Sequence, residues 1–141
     1  MKKVFVDTNV LIDYLARRGS FFEPAAQIVQ LGHNRKCEIL VSALSFATAS
    51  FILESHHKLP NQTIVRKFAE FVKMCNVTPV DSLIIDEAIA SSFPDFEDAM
   101  QYYSALRGGA DAIVTRNYDD FACAQIKVYR PLDFLDMLMR Y

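Results

Sequence analysis

The chain has 141 residues, 52% of them hydrophobic and 12% aromatic, with a formal net charge of −2. That length favours one domain spanning residues 1–141 with a sizeable core, and the composition excludes an intrinsically disordered chain. The slight acidity argues against a broadly basic surface that coats nucleic acid, though not against a local basic patch.

In chain order, short apolar runs alternate with longer stretches of helical spacing. Lys3–Val6 predicts a strand and Asn9–Arg17 a helix. Glu23–Asn34 predicts a second helix, with Pro24 tolerable only in its first turn. Glu38–Val41 (EILV) reads as a strand, Leu44–His57 as a strongly apolar helix and Gln62–Met74 as another. A weaker strand follows at Val77–Val80 (VTPV), then helices at Leu83–Ser91 and Phe96–Arg107. Asp111–Val114 (DAIV) is a fourth strand, Asn117–Ala122 a short helix, Lys127–Tyr129 a short strand and Leu132–Met139 a final helix. Strands alternating with helices of this length imply right-handed βαβ units around a parallel sheet. The runs VFV, EILV and AIV lack polar alternation, as strands covered on both faces should. The expected class is α/β, a three-layer α/β/α sandwich with a parallel sheet of four to five strands. In such sheets ligands sit beyond the carboxyl ends of the strands.

Acids gather at those ends. Asp7 directly follows the first strand, where Asp7, Thr8 or Asn9 must cap the next helix, so capping alone is an even alternative to a functional role. At about 100° per residue, Asp98 lines up with Tyr102, Ala105 and Leu106, an apolar flank on which a carboxylate is costly unless paired. Glu97 instead shares a stripe with Gln101 and Ser104 that reads as solvent-facing. Thr115, Asn117, Asp119 and Asp120 crowd the end of the fourth strand. Of these acids Asp120, next to Phe121, is expected to point inward and Asp119 outward, whereas Asp111 at the opposite edge reads as structural. Carboxylates crowded together raise one another's pKa unless a cation intervenes. Oxygen donors without His or Cys suit Mg²⁺ or Mn²⁺ rather than zinc, and such an ion serves phosphodiester hydrolysis.

Other features narrow the field. No apolar run is long enough for a membrane span, and MKKVFVD meets an acid too soon for a secretory leader. Cys37, Cys75 and Cys123 form no CxxC pair, and His33, His56 and His57 form no HExxH pattern. A reduced cytoplasm is the expected location. Arg17 and Arg18 read as complements to a helix dipole, and Tyr102 and Tyr103 as core aromatics. Arg116, with Thr115 and Asn9 nearby, is the expected contact to a substrate phosphate. Phe21 and Phe22 read as a helix staple.

VFVDTNVLIDYL, VSALSFATASF, DFEDAMQYYSAL and GADAIVTRNYDDF, in that order, resemble the PIN domain family, above all the small stand-alone bacterial members that include VapC-like toxins. The resemblance implies a metal-dependent ribonuclease, with RNA as substrate and Mg²⁺ or Mn²⁺ as cofactor, and the apolar surplus of so small a chain points to a homodimer or an antitoxin-like partner. It matches Asp7 to the first family acid, Asp98 to the acid of the later helix and Asp120 to the final cluster. Thr48 stands where the family usually has glutamate, and Asn117 where many members have aspartate and where an amide oxygen coordinates without charge. Glu54 lies about 120° around the helix from Thr48 and does not replace it. Three readings are therefore open: a ribonuclease using Asp7, Asp98, Asp120 and Asn117, a module binding RNA or protein without cleavage, and a receiver-type phosphoryl acceptor. Against the third, the lysine nearest the last strand is Lys127, at that strand's start.

Overall fold

All five strands of the computed structural model, which describes residues 1–139, run parallel in the order β3-β2-β1-β4-β5. The elements are β1 (Lys3–Val6), α1 (Thr8–Leu15), α2 (Phe22–His33), β2 (Glu38–Ser42), α3 (Ala43–Ser55), α4 (Asn61–Phe71) and β3 (Cys75–Thr78). The second half holds α5 (Ser82–Ala90), α6 (Phe96–Arg107), β4 (Ala112–Val114), β5 (Lys127–Tyr129) and α7 (Pro131–Met139). Single 3₁₀ turns occupy Gly19–Phe21 and Tyr118–Phe121.

Burial on both faces explains the unbroken apolar strands. Val4 and Val6 of β1, Ile39 and Val41 of β2 and Val114 of β4 face one core, shared with α1, α2, α3, α4 and α7. Between them, Phe5, Leu40 and Ile113 face the other, which α6 closes with Tyr102 and Ala105. A side chain such as Phe5, wholly removed from water, contributes about 1.5–3 kcal/mol. Tyr102 is buried and its hydroxyl accepts from the Gln125 amide at 3.1 Å, while Tyr103 packs beside it against Phe93. Tyr102 is a core residue and Tyr103 packs half-buried against the same cluster, in line with their spacing.

Several boundaries move from their predicted positions, each for a local reason. α1 starts at Thr8 because Asp7 caps it, and it stops before Arg17, whose φ of 53° is left-handed. β3 lies two residues earlier than expected, paired from Ile39↔Cys75 to Ser42↔Thr78. It ends before Pro79, which has no N–H to give the ladder. The short helix predicted over 117–122 is one 3₁₀ turn.

Gly108 caps α6 where that helix meets β2 and β3. A Cβ there would stand 2.5 Å from Cγ2 of Thr78 and 3.1 Å from Cδ1 of Leu40, both in well-packed side chains. Gly108→Ala is therefore expected to cost about 1–3 kcal/mol, read as a lower urea midpoint with an unchanged m-value. A midpoint equal to the parent's would show that α6 shifts freely.

Candidate active site

The chain runs from β1 outward to β3, then returns to place β4 and β5 on the other side of β1. The β1–β4 junction is thus where strand order reverses, the place where open parallel sheets bind ligands. Asp7 leaves β1 at this junction, its amide donating to the Val114 carbonyl at 3.0 Å. A hollow of about 340 Å³ opens there, lined by Asp7, Asn9, Thr48, Asp98, Asn117 and Asp120. Asp95, Glu97, Gln101 and Arg18 complete its polar wall.

Asp7 combines the two roles that its position leaves open. It is 5% exposed. Oδ1 caps α1 by accepting from the Thr8 amide at 2.8 Å. Oδ2 accepts from the Thr115 hydroxyl at 2.8 Å and the Asn9 amide at 3.4 Å, so both oxygens are fixed while the carboxylate still borders the hollow. Burial raises its pKa above 3.8, partly offset by the hydrogen bonds from Thr115 and Thr8, with Glu97 and Asp120 adding repulsion.

Asp98 enters from the first turn of α6, where Asp95 caps the helix through the Asp98 amide at 2.9 Å. Desolvation pushes the Asp98 carboxyl from 3.8 up to about 7, helped by repulsion from Asp95, Asp7, Asp120 and Glu97. Asp120 and Asn117 come from the segment after β4 and face the same hollow, while Asp119 lines a separate one with Tyr118 and Val128. The three acids singled out from sequence therefore border one space.

The other candidates are placed differently. Thr115 is buried as a support for Asp7, and Asn9 accepts the Arg116 amide at 3.1 Å. The Arg116 guanidinium grips Asp13 at 2.7 and 3.2 Å, and Arg18 holds the same carboxylate at 2.8 Å. Arg18 is thus an ion-pair partner of a 1% exposed acid, more than a dipole complement. Arg107 pairs with Asp81 at 3.3 Å.

Two participants lie outside the sequence-based expectation. Gln101 and Ser104, expected on a solvent stripe with Glu97, are buried. The Gln101 amide donates to Thr8 at 2.7 Å and Ser45 at 2.8 Å and accepts from Ser42, which ties α6 to the starts of α1 and α3. Those hydroxyls at two strand ends need a partner, and that is the signal the sequence offers. Glu97 is exposed because it sits in the first turn, yet it lines the hollow and accepts from the Thr48 hydroxyl at 3.5 Å.

The donor set around the hollow is oxygen only and strongly acidic, which suits a hard divalent cation. Among the described residues no three such side chains already converge as a ligand group. An ion of Mg²⁺ type keeps several waters and takes one or two carboxylates, so the donors and their charge fit it.

The sequence profile of a family described as PIN domain matches residues 3–119. Ribonuclease VapC1 of Aquifex aeolicus is 25% identical over 140 residues, covering 96% of this chain and 94% of that protein. A toxin-antitoxin complex from Klebsiella pneumoniae has a chain of similar fold, with a TM-score of 0.67 and 19% identity over 91% of this chain and 97% of that one. VapC20 of Mycobacterium tuberculosis, described as a Sarcin-Ricin loop cleaving toxin, gives a TM-score of 0.60 at 14% identity, covering 78% of this chain and 86% of its own.

Proposed function

Because the chain belongs to the PIN domain family, we propose that it is a divalent-metal-dependent ribonuclease and the toxin of a toxin–antitoxin pair. The observation that carries this is the meeting of Asp7, Asp98 and Asp120, from three distant segments, around one hollow at the β1–β4 junction. Asp7, held rigid by Thr8 and Thr115, offers a fixed oxygen. Asp98 and Asp120 supply the remaining charge, and Asn117 a neutral donor. Mg²⁺ or Mn²⁺, when bound, supplies the Lewis acidity that polarises a phosphoryl oxygen and activates water. Repulsion among the acids has then been exchanged for attraction to the cation.

The name of the VapC1 relative supports an RNA substrate, and the source of the Klebsiella chain supports an antitoxin partner. A homodimer is a further expected assembly. Among the described residues no helix is long and apolar enough to cross a membrane, and the cytoplasm is the location this reading assigns. A second reading, an RNA- or protein-binding module without cleavage, draws on Thr48 and Asn117, which bring no charge to the hollow.

Labelled single-stranded RNA, incubated with the purified chain and Mn²⁺, separates the two. Metal-dependent cleavage is expected, with Asp7→Asn slower by at least about a hundredfold, since a lost cation ligand removes several kcal/mol of transition-state stabilisation. Asparagine can still cap α1, so the fold should survive. Mn²⁺ should also raise the melting temperature of the parent, as any ligand of the folded state does. RNA bound but never cut by the parent would select the binding module, and parental cleavage by Asp7→Asn would overturn the site.

A further inference from the structure

The acid-lined hollow poses a problem for a polyanion: five carboxylates border it, and among the described residues its lining holds one cation, Arg18. That arginine is not loose. Its Nε donates to Asp13 at 2.8 Å and its Nη2 to the Asn9 carbonyl at 3.2 Å. Arg116 binds the same carboxylate, through Nε to Oδ2 at 2.7 Å and Nη2 to Oδ1 at 3.2 Å. Two guanidiniums thus share one carboxylate, which leaves a net positive charge at the rim.

A neutral structural tether would need only one arginine. A guanidinium has five N–H donors, and each of these two spends two of them within the protein. Their side chains keep 29% and 28% exposure, against 1% for Asp13. Arg116 also lies over the exposed Phe21 ring at 3.9 Å and borders a neighbouring hollow of about 590 Å³ together with Arg130. Arg130 in turn covers Tyr118 at 4.7 Å. Arg116 and Arg130 thus set guanidiniums against partly exposed aromatic rings next to Arg18, groups of the kind that hold single-stranded nucleic acid.

We propose that Arg18 and Arg116, locked side by side on Asp13, grip backbone phosphates of the RNA strand as it leaves the acid hollow. The inference rests on the ribonuclease reading. Forks fixed in advance by a buried carboxylate lose little freedom when they meet a phosphate, and they offset the repulsion that the acids impose on the strand.

Arg18→Gln and Arg116→Gln test this, because either change leaves Asp13 one arginine and so preserves the fold, verified by circular dichroism. Single-stranded RNA cleavage with Mn²⁺ is followed across salt concentrations. Each variant is expected to raise KM roughly tenfold, the effect of losing one hydrogen bond to a charged group. Each should also flatten the dependence of log affinity on log salt by about 0.7 for every phosphate that is no longer neutralised. Mn²⁺-induced thermal stabilisation should be unchanged, and Arg18→Lys should restore the salt dependence more than the affinity. Folded glutamine variants with parental KM and salt slope, beside an active parent, overturn this inference alone. A parent that neither binds nor cuts RNA removes it together with the ribonuclease reading. Variants that lose a protein partner while keeping parental KM for RNA would assign the arginine edge to that partner and equally overturn it.

Discussion

Asp98→Asn is expected to abolish RNA cleavage and, in metal-free protein at pH 8, to raise the melting temperature. The second effect has the same origin as the first. The Asp98 carboxyl is pushed to about 7 in the fold from 3.8, chiefly by desolvation and then by Asp95, Asp7, Asp120 and Glu97. Between those two pH values the folded state holds a proton that the unfolded chain has released. Stability is therefore fully present below about pH 4 and declines as pH rises towards 7, a slope that linkage requires. Asp7, also raised, adds in the same direction. Asparagine removes the Asp98 part of this slope. Asp98 is only half-buried, so solvent screening reduces the gain to on the order of 1 kcal/mol, or about 3–5 °C for a chain of this size. At pH 4 parent and variant should melt together. Calorimetry from pH 4 to pH 8, in EDTA for the metal-free protein and separately in EDTA-free buffer with Mn²⁺, measures all of this. A variant less stable than the parent at pH 8 without metal would show that Asp98 is not strained by its neighbours. Stability given up at a functional position is the expected trade-off.

Gln101→Ala should have the largest effect on stability. Its amide makes three side-chain hydrogen bonds in a site 1% exposed, to Thr8, Ser45 and Ser42. Truncation leaves a cavity and weakens the hydroxyl cluster, although Thr8 and Ser45 still bond each other at 2.7 Å. The expected loss is about 3 kcal/mol, combining a cavity with incompletely paired buried oxygens. The urea midpoint reads it directly, and a loss below about 0.5 kcal/mol would mean that water or neighbours fill the gap. Because Gln101 stands one turn from Asp98 and touches the residue after Asp7, the folded variant should also cleave RNA more slowly. Replacing Thr8 and Ser45 by apolar residues together with Gln101→Leu, while keeping Ser42 to cap α3 through the Ser45 amide, should recover part of the stability, since fewer buried polar groups then lack partners.

The sequence reveals the sheet and three of its acids for one reason: period and position survive any choice of tertiary partner. Lys3–Val6, Phe96–Arg107 and Lys127–Tyr129 have the bounds their patterns predict. Asp7, Asp98 and Asp120 stand at strand ends or on an apolar flank, where charge is conspicuous. Asp13 meets the same criterion, an acid among Val10, Leu11, Ile12 and Leu15, and its two arginine partners lie five and 103 residues away. No local pattern could choose them. Gln101 reads as water-facing because it shares a stripe with Glu97, and a helix wheel cannot show that the far side of α6 meets a ring of hydroxyls. Boundaries shift where a single residue decides them, as at Arg17 and Pro79.

The strand order has a consequence in time. β1 occupies the middle of the sheet and, made well before β4, awaits it, their pairing Val6↔Val114 spanning most of the chain. Loop closure of that length is slow, so the junction forms late in folding. A nascent chain that stops before Asp120 contains Asp7 but no complete hollow around it. The candidate site is thus assembled only after the segment through Asp120 has been made, and its acids cannot meet in a shorter nascent chain.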